Sequence, residues 1–171
     1  MKKRLFLSGF TLIELMVTLA IAAILIAVAS PSLNQFVSRN NASNTAVKLA
    51  NVFAYARSEA VTRVENIFVC ASNDGNVCVD PDDGGTDADW GDWWRVVTAD
   101  GTLLKVENVS GLLVDFAVTD PGGINLPRLT SVCFNELGEE CNGGFPFVIF
   151  TVSSDGETSS KRLNSSGSVS L

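Results

Sequence analysis

The sequence predicts an α+β fold in which a long N-terminal α-helix packs against a C-terminal antiparallel β head. Two observations predict this fold. The first sixty or so residues contain a long apolar run and then an apolar stripe with helical spacing. After Val64, short β-prone runs alternate with turn residues. The length of 171 residues and the mean hydropathy of +0.25 suit one domain with an attached apolar segment.

Composition narrows the possible functions. Lys and Arg number 12 against 19 Asp and Glu, which gives a net charge of −7 and argues against nucleic-acid binding. The sequence contains no histidine, so Ser-His-Asp and Cys-His catalysis and histidine-ligated metals are excluded. We therefore expect neither an enzyme nor a cofactor.

The N-terminal segment predicts a membrane helix. Lys2, Lys3 and Arg4 precede twenty residues, 10–29, whose one charge is Glu14. Twenty helical residues span roughly 30 Å, the thickness of the hydrocarbon core, and the cations place the N-terminal end in the cytoplasm. Two features argue against a cleaved secretory signal peptide: the apolar run is longer than the core of such a peptide, and no small-x-small cleavage site follows it. An ordinary single-pass anchor is the next alternative.

Glu14 is a candidate functional residue. A carboxylate within an apolar segment costs several kcal/mol unless it is paired or lies near the interface, so a charge there indicates function. A position near the lipid headgroups is the simpler interpretation.

The residues around Glu14 resemble the processing signal of a known protein family. Ser8 and Gly9 followed by F-T-L-I-E-L, residues 10–15, resemble the class III signal of type IV pilins and type II secretion pseudopilins. In that family a prepilin peptidase cleaves after the glycine and N-methylates the new first residue. The resemblance implies cleavage between Gly9 and Phe10 and an N-methylphenylalanine at Phe10; removing nine residues leaves 162 of the 171. It also implies that Glu14 neutralises the new amine of a neighbouring subunit during assembly.

The resemblance divides the chain into four segments. They are a cleaved leader, a transmembrane or filament-core helix, an amphipathic helix continuing into the head, and the β-rich head: 1–9, 10–30, 31–63 and 64–171.

The helix is predicted to run from Phe10 to about Val64. Pro31 removes a backbone hydrogen bond and predicts a kink rather than an end, as pilins also have. Further along, an apolar stripe of helical spacing consists of Leu49, Phe53, Ala56 and Ala60. The polar run before it, Asn40, Asn41, Ser43 and Asn44, is either a flexible waist or a solvated face; the second is the simpler interpretation.

The sequence at the end of the helix resembles a smaller group within that family. The stretch A-R-S-E-A-x-x-R, residues 56–63, is similar to minor pilins and pseudopilins of the GspH/FimT/FimU type. Glu59 and Arg63 are four residues apart and could form a surface ion pair. We interpret this stretch as a packing and docking surface.

The head contains the four cysteines. Cys70 and Cys78 enclose seven residues, as do Cys133 and Cys141, and each pair flanks a turn-rich loop. Four cysteines allow three pairings; the repeated spacing favours Cys70–Cys78 and Cys133–Cys141, as structural disulfides of an oxidising compartment. A zinc-type C-x-x-C motif is absent from the sequence.

An acidic segment precedes three tryptophans. Seven aspartates and no cation lie between Asp74 and Asp92. Calcium would suit such ligands, but the spacing is not that of an EF-hand loop, so a solvated acidic loop is the simpler interpretation and no metal is expected. Trp90, Trp93 and Trp94 are expected in the core, with an exposed contact to another subunit as the alternative.

Three functions remain open at this stage. The favoured one is a minor pilin, FimU-like, in the tip complex that primes a type IV pilus for assembly and twitching motility. Its expected partners are the prepilin peptidase, other minor pilins, the major pilin and the inner membrane, with a periplasmic head before assembly. The first alternative is a GspH-like pseudopilin of a type II secretion system, in a periplasmic pseudopilus.

The remaining alternative is a FimT-like DNA-uptake pilin, which would need a C-terminal G-R-x-R-like tail. This chain has Gly167-Ser168-Val169-Ser170 there, with serines in place of arginines. Nucleic acid is therefore not expected as a partner.

Overall fold

The computed structural model describes residues 10–79, 90–110, 114–126, 129–141 and 146–170, except for the side chains of residues 27–32. Several residues named in the sequence analysis lie outside the described part of the chain. They are the leader with Gly9, the side chain of Pro31, and the aspartates at positions 80, 82, 83, 87 and 89.

Helix α1 spans Leu12–Arg63 and is assigned without a break at Pro31. The bend expected at Pro31 stays a prediction. Most of the polar run at residues 40–44 is exposed on a regular helix, so it forms a solvated face. The chain divides between Phe36 and Val37 into two compact units, which are described separately below.

The first sheet of the second unit has four strands, and every neighbouring pair is antiparallel. Its strands are β1 Ile67–Ser72, β2 Trp93–Thr98, β3 Leu103–Asn108 and β5 Ser131–Phe134, in the order β3-β2-β1-β5. The β2–β3 hairpin turns at Asp100-Gly101.

The second sheet is also antiparallel and four-stranded. It contains β4 Asp115–Thr119, β6 Phe147–Ser154, β7 Glu157–Asn164 and β8 Val169–Ser170, in the order β4-β6-β7-β8. Asp155 and Gly156 connect β6 to β7 with φ values of 47° and 82°. Two positive φ angles are what a tight two-residue hairpin requires, and Asp-Gly is a preferred sequence for it.

The helix and both sheets share one core in the second unit. The predicted stripe on α1, Leu49, Phe53, Ala56 and Ala60, is fully buried, so this prediction is confirmed. It packs in one cluster with residues of both sheets, among them Val69, Trp94, Phe150 and Leu163. The predicted α+β class, a long helix followed by antiparallel sheets, is confirmed.

Candidate assembly site

The start of α1 brings the predicted site residue Glu14 against Thr11. Glu14 Oε2 accepts hydrogen bonds from the Thr11 backbone nitrogen at 3.1 Å and from its hydroxyl at 3.2 Å. In return, the Glu14 backbone nitrogen donates to Thr11 Oγ1 at 3.3 Å. This reciprocal arrangement is a capping box, which satisfies two backbone N–H groups that the first turn of a helix leaves unpaired.

Thr11 is a residue that the sequence interpretation missed. The signal was available, because Thr-x-x-Glu before an apolar run is the sequence pattern of a capping box. The box holds the carboxylate at the first backbone nitrogen after Phe10, where the partial positive charge of the helix start also favours it. Glu14 therefore has a local partner in a single chain.

The surface of α1 in the first unit is apolar and uncovered. Every described residue from Phe10 to Ile26 is exposed, and Phe10 itself is 81% exposed. A continuous apolar surface of this extent marks a region that lipid or protein neighbours cover.

A membrane span was predicted at residues 10–30. Within the part of the chain that the structure describes, no helix combines the length and apolar character needed to cross a bilayer. The side chains of residues 27–30 lie outside the described ones.

The stretch at residues 56–63 forms the end of α1. Arg63 Nε lies 2.6 Å from Glu59 Oε2, so the predicted ion pair is confirmed. Arg57 lies on another face, against Gly138 and Gly167. Ala56 and Ala60 are buried in the core, so the stretch packs with one side and exposes the other.

The structure brings the cysteines together in two pairs. Cys70 is bonded to Cys78 and Cys133 to Cys141, and no described cysteine is free. The first pair closes the loop that contains Asp74. The second pair lies beside β5, where the Cys141 backbone nitrogen donates to the Cys133 carbonyl at 3.0 Å.

Asp74 organises the loop between Cys70 and Cys78. Its carboxylate accepts hydrogen bonds from the backbone nitrogens of Asn76, at 2.8 Å, and Val77, at 3.2 Å. The Asn76 backbone, the Asn76 side chain and then Val77 lower the pKa of Asp74 from 3.8 to about 2, because these bonds favour the ionised carboxylate. Within the described ranges, no group of three acidic or cysteine side chains could hold a metal ion.

Arg95 stabilises the loop between Cys70 and Cys78 through hydrogen bonds to its carbonyls. The residue is only 9% exposed, and its Nη1 donates to the Gly75 carbonyl at 2.8 Å and to the Asn76 carbonyl. The ring of Trp93 lies against Gly75, where a Cβ would come within 2.9 Å of Trp93 Cε3.

The other two tryptophans belong to the core. Trp90 and Trp94 are buried, and their indole nitrogens donate to the carbonyls of Leu129, at 2.8 Å, and Trp90, at 2.7 Å. Core packing is thus the structural role of these two, whereas Trp93 is half-buried.

The family model of the type II transport protein GspH matches residues 45–168, which is more than half of the chain. The chain belongs to the GspH family. A second family model, the prokaryotic N-terminal methylation motif, matches residues 8–30. Family and motif together imply processing by a prepilin peptidase and assembly with other pilins. The GspH family consists of structural pilin subunits.

Solved structures agree with a GspH-family fold. The chain is similar to the type IV minor pilin FimU of Pseudomonas aeruginosa, strain PAO1, in a crystal of space group P21. The sequences are 19% identical, the match covers 80% of this chain and 91% of that one, and the TM-score is 0.56. For the P65 crystal form, the values are 18% identity, 75% and 90% coverage and a TM-score of 0.53. No curated protein sequence matches this chain.

The C-terminal residues of this GspH-family chain complete the description of the predicted sites. The Arg162 guanidinium lies 5.0 Å from the centre of the Phe147 ring, a cation–π arrangement. Asn164 Nδ2 donates a hydrogen bond of 3.1 Å to Ser168 Oγ within the turn that precedes β8. Ser168, at the first arginine position of the G-R-x-R-like tail, thus has a structural partner.

Proposed function

We propose that this chain is a minor pilin of a type IV pilus, incorporated in the tip complex that primes pilus assembly and supports twitching motility. The observation that carries this proposal is the start of α1. A carboxylate is held next to Phe10, directly before a helical surface that is apolar and exposed all round. Such a surface is stable when neighbouring helices or lipid cover it, which a helical filament and an inner membrane both provide.

In this proposal a prepilin peptidase cleaves between Gly9 and Phe10 and methylates the amine of Phe10. The anchor at residues 10–30 holds the chain in the inner membrane, with its head in the periplasm, until assembly. Within the filament, Glu14 meets the amine of a neighbouring Phe10. That pairing neutralises two charges which would otherwise lie unpaired in apolar surroundings.

A second candidate is a pseudopilin of a type II secretion system. It is favoured by the match to the family model of the type II transport protein GspH. The same cleavage, anchor and Glu14 pairing serve both machines, so the two candidates differ in the structure that the subunit joins.

The test compares two substitutions of Glu14 in the full chain. Gln also occupies the fourth position of capping boxes, so Glu14→Gln keeps the local hydrogen bonds and removes the charge, whereas Glu14→Ala removes both. We expect both variants to enter the membrane fraction and neither to enter filaments. Glu59→Ala, the loss of a half-buried carboxylate that pairs with Arg63 on the same helix, is expected to assemble normally.

The measurements are the yield of sheared surface pili, their content of this chain, and the retention of secreted enzymes in the periplasm. They are made in a deletion strain complemented with each variant. Loss of pili with normal secretion supports the minor pilin; retained enzymes with normal piliation favour the pseudopilin. Assembly of Glu14→Gln at the wild-type level would contradict the proposed charge pairing.

A further inference from the structure

A groove runs along the last turns of α1 in the second unit. One wall is the helix face of Ala50, Ala54, Ser58 and Val61, and the other is the turn and first residue of β8, residues 167–169. The groove has a volume of about 700 Å³. Its helix wall carries small side chains, so a second chain could approach the helix backbone closely.

The dimensions suit an extended peptide. The helix wall extends from Ala50 to Thr62, which at 1.5 Å per residue is about 18 Å. An extended chain rises about 3.3 Å per residue, so roughly five residues would fill this length. Strand β8 is the last strand of its sheet, and its outer edge has no partner among the described strands. Exposed strand edges pair readily with an added strand.

Two glycine turns shape the groove around Arg57. Gly138 and Gly167 have φ values of 75° and 71°, which only glycine adopts readily. A Cβ at Gly138 would lie 3.0 Å from Arg57 Nε, and one at Gly167 would lie 3.3 Å from the same atom. The side chain of Arg57, a half-buried residue, thus lies beside both turns.

Arg57 has no counter-charge in the described part of the chain. Arg39, Lys48, Arg63 and Lys105 each have a carboxylate within 4.0 Å, but no ion pair or hydrogen bond joins Arg57 to a described residue. The planar donors of a guanidinium match the geometry of a carboxylate. A phosphate backbone fits poorly, because nucleic-acid binding requires several cations along its path.

We propose that this groove is a docking site for an extended segment of a neighbouring pilin subunit that carries an aspartate or glutamate. The segment adds to the outer edge of β8, and its carboxylate accepts hydrogen bonds from Arg57. This inference rests on the proposed function as a filament subunit, and it names a contact through which the head recognises its neighbour.

The experiment uses the full chain in cells that assemble filaments. A photoreactive p-benzoylphenylalanine is placed at position 54, which is exposed in the groove, and the cross-linked partner peptide is sequenced. We expect a cross-link to a short acidic segment of another pilin subunit. Arg57→Gln should reduce its yield about tenfold, as the loss of a charge-assisted hydrogen bond predicts, whereas Arg57→Lys should retain part of it.

Arg63→Gln provides the matched control. It is the same substitution on the same helix, at an exposed position outside the groove, and it should leave the cross-link unchanged. An equal yield in Arg57→Gln, or a partner segment without acidic residues, would overturn the proposal. Absence of the cross-link while the chain is present in filaments would overturn the docking site but leave the proposed function standing. Absence of the chain from filaments would contradict both the docking site and the proposed function.

Discussion

Phe53 joins helix α1 to both sheets of the head, and its removal should be the most damaging change to the second unit. Its ring is 1% exposed and lies 5.1 Å from the ring of Phe150, 6.1 Å from Phe134 and 6.4 Å from Trp90, measured between centres. Replacing a buried Phe by Ala typically costs about 3–5 kcal/mol, from lost burial and the cavity that remains. Edge-on aromatic pairs contribute about 0.5–1.5 kcal/mol each beyond that burial.

We therefore expect Phe53→Ala to lower the free energy of unfolding by about 4 kcal/mol, the middle of this range. A domain of ordinary stability has only about 5–15 kcal/mol, so the variant should be close to unfolding at growth temperature. Phe53→Leu retains much of the volume but no ring, and it should cost about half as much.

The assay is denaturant unfolding of the full-length chain in detergent micelles, followed by tryptophan fluorescence. All three tryptophans, at positions 90, 93 and 94, lie in the head, so the signal reports on the head alone. Phe36→Ala is the matched control, since its side chain is 63% exposed on the same helix and its loss should change stability by less than about 0.5 kcal/mol. Equal midpoints for Phe53→Ala and Phe36→Ala would refute the inference that Phe53 connects helix and sheets.

Two further predictions concern the ends of structural elements. Val64 follows α1 with a φ of 58°, a left-handed conformation that a β-branched residue rarely adopts, while its backbone nitrogen donates to the Ala60 carbonyl at 2.9 Å. Val64→Gly should raise the free energy of unfolding by about 1 kcal/mol, and a lower denaturation midpoint would contradict this. Asp74 has a pKa lowered from 3.8 to about 2 by its bonds to Asn76 and Val77, so the stability it contributes is present above pH 3.8 and lost as the pH falls to about 2. The stability difference between wild type and Asp74→Ala should shrink over that pH range, and a constant difference would exclude this linkage.

Much of the fold could be predicted from the sequence because its signals are local. The spacing of Leu49, Phe53, Ala56 and Ala60 shows which side of the helix is buried, since four residues complete about one helical turn. The Asp-Gly pair between β6 and β7 determines a hairpin through the backbone angles that these residues tolerate. The cleavage motif around Gly9 and Phe10 is likewise a matter of adjacent residues, and its processing stays a prediction.

The site at Glu14 was predictable in position but not in geometry. Its place in an apolar run identified it as unusual. The hydrogen bonds to Thr11 follow from the helix start, and the sequence pattern that announces them was overlooked.

Arg57 shows what only the tertiary structure decided. In the sequence it belongs to the stretch at residues 56–63, interpreted as a packing and docking surface, but the stretch does not show what lies beside the Arg57 guanidinium. Its surroundings come from Gly138 and Gly167, which lie more than eighty residues away and reach the helix through different sheets. The order of strands in those sheets depends on contacts between distant segments, which no local pattern of side chains specifies. The sequence by itself thus determined the helix, most of the strands and the processing motif. Only the tertiary structure determined that the turns at Gly138 and Gly167 lie beside the Arg57 guanidinium.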